Sequence, residues 1–289
     1  MRTSRRLTAV LAAFLGVALL GATTSVAASG GVRPLANAHA HNDYEHARPL
    51  LDALDQGFTS VEADIYAVGG QLLVGHDPAD LRPERTLEAL YLEPLRRRVL
   101  AHHGHVYPRP AAFQLLIDVK SEAESTYAAL EKRLRDPRYS FLFSSYSSGR
   151  VRERAVTAVL SGNRPKDTLL AQRYRLAFYD GRVGDDGDLG PGADRRIAPL
   201  VSGSWETLFT WRGEGAFPAT EQAKLAEIVR SAHAAGQRVR FWATPDRPGP
   251  ARSALWRELV KTGVDYLNTD DLAGLAAFLK GREGSPNDR

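Results

Sequence analysis

Glu62 and Asp64 stand two residues apart in the run Ser60–Tyr66 (SVEADIY), and Asp118 and Lys120 repeat that spacing where Phe113–Val119 (FQLLIDV) ends. On a strand, residues i and i+2 share a face, so each pair points the same way. An ionised carboxylate turned toward a packed interior is costly unless a cation or a metal answers it. Glu62, Asp64 and Asp118 from neighbouring strands would offer oxygen ligands to one hard divalent cation, Mg2+ or Ca2+. The plainer alternative pairs each acid with Lys or Arg, for instance Lys120. Three acids at strand ends beside histidines favour the metal.

The histidines add a second chemistry. One apolar run ends in His39-Ala40-His41-Asn42 and another in Gly75-His76-Asp77. Imidazole titrates near neutrality, so His39 or His41 could take a proton while His76 gives one, on opposite sides of a reacting phosphorus. Asn42, Lys120, Trp242 and Asn268 also fall at strand ends and are candidate substrate contacts; Trp242 and Tyr66 could equally be barrel packing. His46, His102, His103, His105 and His233 read as surface residues, a zinc site at 102–105 being the weaker alternative.

Those residues need elements to hold them. Strands are expected at Leu35–His41, Ser60–Tyr66, Gln71–Gly75, Phe113–Val119, Val156–Leu160, Ile197–Ser202, Arg238–Ala243 and Val264–Asn268. Helices are expected at 48–57, 86–102, 122–135, 220–235, 251–262 and 271–280, several closed by glycine. This alternation predicts a parallel sheet with helical crossovers. HAHNDY follows the first strand where a dinucleotide-binding chain has a Gly-rich loop. An α/β barrel fits about eight strands over this length, with catalysis at the C-terminal strand ends. Asp180–Asp194 (DGRVGDDGDLGPGAD) reads as a long surface loop; its acids lack EF-hand spacing, so calcium there is the lesser reading.

The chain of 289 residues opens with Arg2, Arg5 and Arg6 and an apolar run from Leu7 to Ala22. That run is about 16 residues where a membrane span needs about 20, so residues 1–27 read as a secretory signal cut before Ala28. Residues 28–280 form one barrel domain and 281–289 a flexible tail. Without the leader's three arginines, the excess of basic over acidic residues falls from four to one, which gives no reason to invoke nucleic acid. Zero cysteines remove disulfides, thiolate nucleophiles and thiolate metal sites.

At these residues the chain resembles the phosphatidylinositol-phospholipase-C-like phosphodiesterase superfamily, which takes in glycerophosphodiester phosphodiesterases and sphingomyelinase D type enzymes. It is most similar to the altered-inheritance-of-mitochondria (number six) family. The matching segments are HAHNDY at 39–44, TSVEADI at 59–65, LLVGHD at 72–77, RTL at 85–87 and LYLEPL at 90–95, with RFWATPD and GVDYLNTDD near the end. The resemblance implies a distorted TIM (β/α)8 barrel and one divalent cation, Mg2+ or Ca2+. It carries the ligand roles to Glu62, Asp64 and Asp118, the second catalytic histidine to His76 and a phosphate contact to Lys120. For the first histidine, an H-x-x-N pattern selects His39, whereas spacing to E-x-D selects His41; His39 is preferred. The HRG and PENT boxes of glycerophosphodiesterases are missing, so glycerol specificity is not implied. The expected function is a secreted metal-dependent phosphodiesterase acting on a lipid headgroup or similar small alcohol, by hydrolysis or through a cyclic phosphate. The alternative is a secreted non-catalytic metal-binding barrel. No particular oligomer is implied, and no membrane span in the mature chain.

Overall fold

A computed structural model describes residues 31–283; the expected leader and residues 284–289 lie outside them. The strands in chain order are β1 (Leu35–Ala40), β2 (Phe58–Val68), β3 (Gln71–Val74), β4 (Phe113–Val119), β5 (Ser145–Ser147), β6 (Arg150–Arg152), β7 (Val156–Gly162), β8 (Tyr174–Arg175), β9 (Ala177–Arg182), β10 (Leu200–Ser204), β11 (Arg238–Trp242) and β12 (Tyr266–Thr269). Eight of them run parallel in the order β1-β12-β11-β10-β9-β7-β4-β2, and β2 pairs with β1 to close the barrel. A closed sheet has no free edge, so every barrel strand satisfies its backbone on both sides.

The helices are α1 (Leu51–Gln56), α2 (Glu93–Ala101), α3 (Ala123–Leu134), α4 (Lys166–Ala171), α5 (Trp205–Leu208), α6 (Ala219–Ala234), α7 (Pro250–Thr262) and α8 (Leu272–Glu283). The barrel is distorted in two ways. The β1–β2 register slips between Leu35 and His39, and no helix of the described residues separates β9 from β10. α8 also runs on to Glu283, past the expected end at Lys280.

Two apolar assemblies follow from the strand alternation. Outward residues such as Val61, Ala63 and Ile65 of β2 join the large core under the helices. Leu116, Val159, Phe178, Leu200 and Tyr266 point inward and form a separate plug inside the barrel. Strands buried on both faces need this double supply, which is why β4 reads as a nearly unbroken apolar run, whereas β2 gives inward positions to Ser60, Glu62 and Asp64.

One expected strand leaves the barrel and an unexpected one enters it, while β5, β6 and β8, also unexpected, form a separate three-stranded sheet. Gln71–Val74 is a strand, but it pairs antiparallel with β2 outside the closed barrel. The eighth barrel strand is instead β9, whose end occupies the start of the expected Asp180–Asp194 surface loop. Asp and Gly favour turns, yet Asp180 is fully buried, its carboxylate taking hydrogen bonds from Ser161 (3.0 Å), Ser202 (2.7 Å) and Arg182 (2.6 Å). Tertiary hydrogen bonding overrode local propensity. The rest of the Asp-rich loop gathers no cation site: Asp188 pairs with Arg164 at 2.9 Å.

Candidate active site

β1 ends by turning Asn42 into the left-handed region (φ 46°), which asparagine tolerates better than most residues. That turn carries Tyr44 back over the barrel mouth, where its hydroxyl lies 2.8 Å from Oδ2 of Asp64 and 2.7 Å from Oδ1 of Asn42. On β2 the inward positions are Ser60, Glu62 and Asp64. The register sets Asp64 beside Asp118 of β4, and Asp118 beside Ser161 of β7. Gly162 follows on β7 because a Cβ there would collide with Oδ1 of Asp118.

Glu62, Asp64 and Asp118 therefore converge, one ligand oxygen of each lying within 4.8 Å of the others. Among the described residues they form the single group of His, Asp or Glu this close; His102, His103 and His105 do not. Cations answer the acids in part. Lys120 Nζ is 3.1 Å from Oδ2 of Asp64 and 3.4 Å from Oδ1 of Asp118. The buried Arg240 reaches Glu62 at 3.3 Å, and its Nε donates to Asn268 at 2.9 Å. Oδ1 of Asp64 is still buried with no hydrogen-bond partner. A buried carboxylate oxygen left bare is costly, and a bound cation would satisfy it. The donor set thus fits a hard divalent ion.

Electrostatics separates the three acids. Burial pushes the Glu62 carboxyl up, but Arg240 and the neighbouring imidazoles outweigh it and hold the group well below its usual range. For Asp64, burial and then the charges of Glu62 and Asp118 prevail over Lys120 and Tyr44, pushing it up to about 6. Asp118 also moves upward, through burial and then Glu62.

The three expected histidines occupy two environments. His39 is fully buried; its Nδ1 is 2.7 Å from Ser60 Oγ and its Nε2 is 3.9 Å from Glu62. Burial, then Arg240, pushes its pKa down to about 3. His41 and His76 both line the open cavity at the mouth, of about 440 Å³. Nδ1 of His41 is 2.8 Å from Asp270, and its Nε2 lies 3.7 Å from Glu62. Burial lowers the pKa of His41, but Asp270 and Glu62 carry it upward overall. His76 is held through Nδ1 by Asp64 and the Tyr44 hydroxyl, each 3.2 Å away. Two imidazoles are thus fixed by carboxylates through Nδ1, which leaves Nε2 of each available for proton exchange.

Asn42, Lys120 and Trp242 also line the cavity. Asn268 was expected at the substrate but is buried against Arg240. The side chains missed were Tyr44, Arg182, Arg240 and Asp270. Arg182 lines the cavity and bonds Asp180 and Ser161. Asp180–Arg182 and Arg240–Trp242 show the i, i+2 spacing that singled out Glu62 and Asp64, so a signal was present. Of the other expected surface histidines, His233 pairs with Asp265 at 2.8 Å and His102 contacts the Val106 carbonyl, whereas His46 is half-buried and its Nε2 is buried without a hydrogen-bond partner among the described residues.

A closed parallel barrel with acids, histidines and cations gathered at its C-terminal mouth defines a TIM-barrel protein whose polar site lies where barrel enzymes carry theirs. Residues 27–180 match the AIM6-like phosphodiesterase domain, and residues 238–273 match the glycerophosphoryl diester phosphodiesterase family. The chain is 36% identical to Altered inheritance of mitochondria protein 6 of Eremothecium gossypii, covering 84% of this chain and 69% of that protein. It is 31% identical to a homologue from Arthroderma benhamiae, covering 81% of each. The chain belongs to the AIM6-like phosphodiesterase family. Two solved structures share the fold. One is a calcium-dependent phosphoinositol-specific phospholipase C from Pseudomonas (TM-score 0.53, 13% identity, covering 82% of this chain and 90% of that one). The other is a glycerophosphoryl diester phosphodiesterase from Parabacteroides distasonis (TM-score 0.50, 11% identity, covering 86% and 87%).

Proposed function

We propose that this barrel is a secreted, divalent-cation-dependent phosphodiesterase in which His41 and His76 exchange protons with the substrate. The observation that carries this reading is the convergence of three carboxylates between two carboxylate-held imidazoles at one open mouth. Mg2+ or Ca2+ held by Glu62, Asp64 and Asp118 would supply positive charge to the non-bridging phosphate oxygens. Lys120 and Arg182 add fixed charge from the cavity wall, and Asn42 supplies hydrogen bonds. One imidazole takes the proton of the nucleophile, water or a neighbouring substrate hydroxyl; the other protonates the leaving alkoxide. Attack by the hydroxyl gives a cyclic phosphate first. His39 is fully buried and is not among the residues lining the cavity, so in this reading it positions Glu62 from beneath and His41, rather than the preferred His39, carries the proton. Asn268 likewise positions Arg240. Export rests on residues 1–27, where Arg2, Arg5 and Arg6 precede a short apolar run. Among the described residues no helix is long and apolar enough to cross a membrane.

The test is turnover of bis(p-nitrophenyl) phosphate and a lipid diester panel with Mg2+ or Ca2+, then with EDTA, products being read by ³¹P spectroscopy. Metal-dependent cleavage is expected; its absence across the panel would sink the catalytic reading. The Arg240–Glu62 and Lys120–Asp64 pairs favour a second reading, a non-catalytic barrel. It predicts no cleavage whether or not a cation binds. N-terminal sequencing of exported protein tests the leader, with Ala28 expected first.

A further inference from the structure

The opposite end of the barrel holds another concave site. Below the apolar plug, at the N-terminal ends of the strands, a cavity of about 170 Å³ is lined by Arg154, Arg195 and Arg238, with Glu153 as the one acidic lining residue among the described residues. Glu153 reaches Arg195 at 3.5 Å. The Arg238 guanidinium lies over the Tyr266 ring and donates to its hydroxyl, a neutral partner, and among the described residues no carboxylate pairs with it. The Arg154 backbone N–H is held by Ser144 at 3.1 Å, while its guanidinium has no partner among the described residues. Arg154 also borders both adjoining surface depressions, one of which adds Arg150 and Arg152.

We propose that this floor cavity binds a phosphate dianion, either free or carried on a monoester. Three guanidiniums against one carboxylate leave two positive charges in a recess, which a dianion neutralises. Guanidinium forks match the oxygens of a tetrahedral anion, often two bonds at a time. The arginine-lined depressions leading in raise the local concentration of such an anion. Arg154 and Arg195 are exposed, and mere attraction to such arginines fades at physiological salt, where screening acts over about 8 Å, so binding that stays saturable there marks a site. The plug of Leu116, Val159, Phe178, Leu200 and Tyr266 separates floor from mouth, so this binding is independent of turnover.

The experiment is calorimetric titration of the full chain with inorganic phosphate at 0.15 M NaCl in EDTA, paralleled by phenyl phosphate. Arg154→Gln/Arg195→Gln is the principal variant, because both residues are exposed and their loss should spare the fold. Lys120→Met controls for anion binding at the mouth. Saturable binding is expected, weakened about tenfold or more in the double variant and unchanged in Lys120→Met. Tighter binding of phenyl phosphate would assign the site to a monoester, and equal or weaker binding to the free anion. No saturable binding, binding indifferent to the double variant, or binding lost only in Lys120→Met would each overturn the proposal.

Discussion

The two ends of this barrel are built from the same strands and differ in how charge is answered. At the mouth, the carboxylates of Glu62, Asp64, Asp118 and Asp180 interlock with Lys120, Arg182 and Arg240. Acid is in excess there, and Oδ1 of Asp64 is left bare. At the floor, arginines gather around one glutamate. Between them lies a layer of apolar side chains. Strand alternation puts a residue inside the barrel; the sign of its neighbours then decides whether that end attracts cations or anions.

The largest predicted effect is at the mouth. His41→Ala and His76→Ala should each lower kcat by about 10²–10⁴-fold, the usual worth of a general acid or base, while thermal melting shows the fold intact. His39→Ala should instead weaken cation binding and lower the melting temperature. A His39 variant with normal cation affinity but abolished kcat, beside an active His41 variant, would restore His39 as the proton carrier.

Glu62→Gln should reduce divalent-cation affinity by about 100-fold, since one ligand charge is lost while Arg240 stays buried nearby. Unchanged binding in calorimetry would show that Glu62 serves Arg240 alone.

The pH dependence is next in size. Protonated Asp64 cannot ligate, and its carboxyl is raised to about 6, so cation affinity should fall as pH drops through that value, by up to about tenfold per pH unit. The sign is opposite for the metal-free fold. A carboxyl raised from 3.8 to about 6 binds more protons folded than unfolded, so apo stability declines as pH rises from about 4 to 6. Added Mg2+ or Ca2+ should therefore raise the melting temperature more at pH 8 than at pH 5. Equal stabilisation at both would remove Asp64 from the ligand set.

Trp242→Ala should have the smallest effect. The indole sits on the rim with 39% of its surface exposed, so KM should rise only a few-fold with kcat preserved. A loss confined to kcat would place the ring against the reacting group.

Much of this was legible in one dimension. The period-two spacing of Glu62 with Asp64 and Asp118 with Lys120, against apolar runs, marked both the strands and the inward acids. Five helices fell within three residues of expectation, because amphipathic periodicity and terminal glycines are local properties, while the one expected at 86–102 is α-helical only from Glu93, after a π-helical turn at Glu88–Leu92. The expected strand count agreed with the barrel's eight only because an outlying hairpin strand was included where β9 was overlooked. Asp180-Gly181-Arg182 looks like a turn until Ser161 and Ser202, distant in sequence, supply its hydrogen bonds.

The sequence by itself determined which residue types the barrel carries and which face of each strand they occupy, because alternation is fixed by the backbone. Only the tertiary structure decided which acid meets which cation, that Asp270 holds His41 across 229 positions of chain, and that His39 lies beneath the open site. Those outcomes depend on strand order and register at closure, and on the local dielectric each side chain meets there. No stretch of chain encodes either alone.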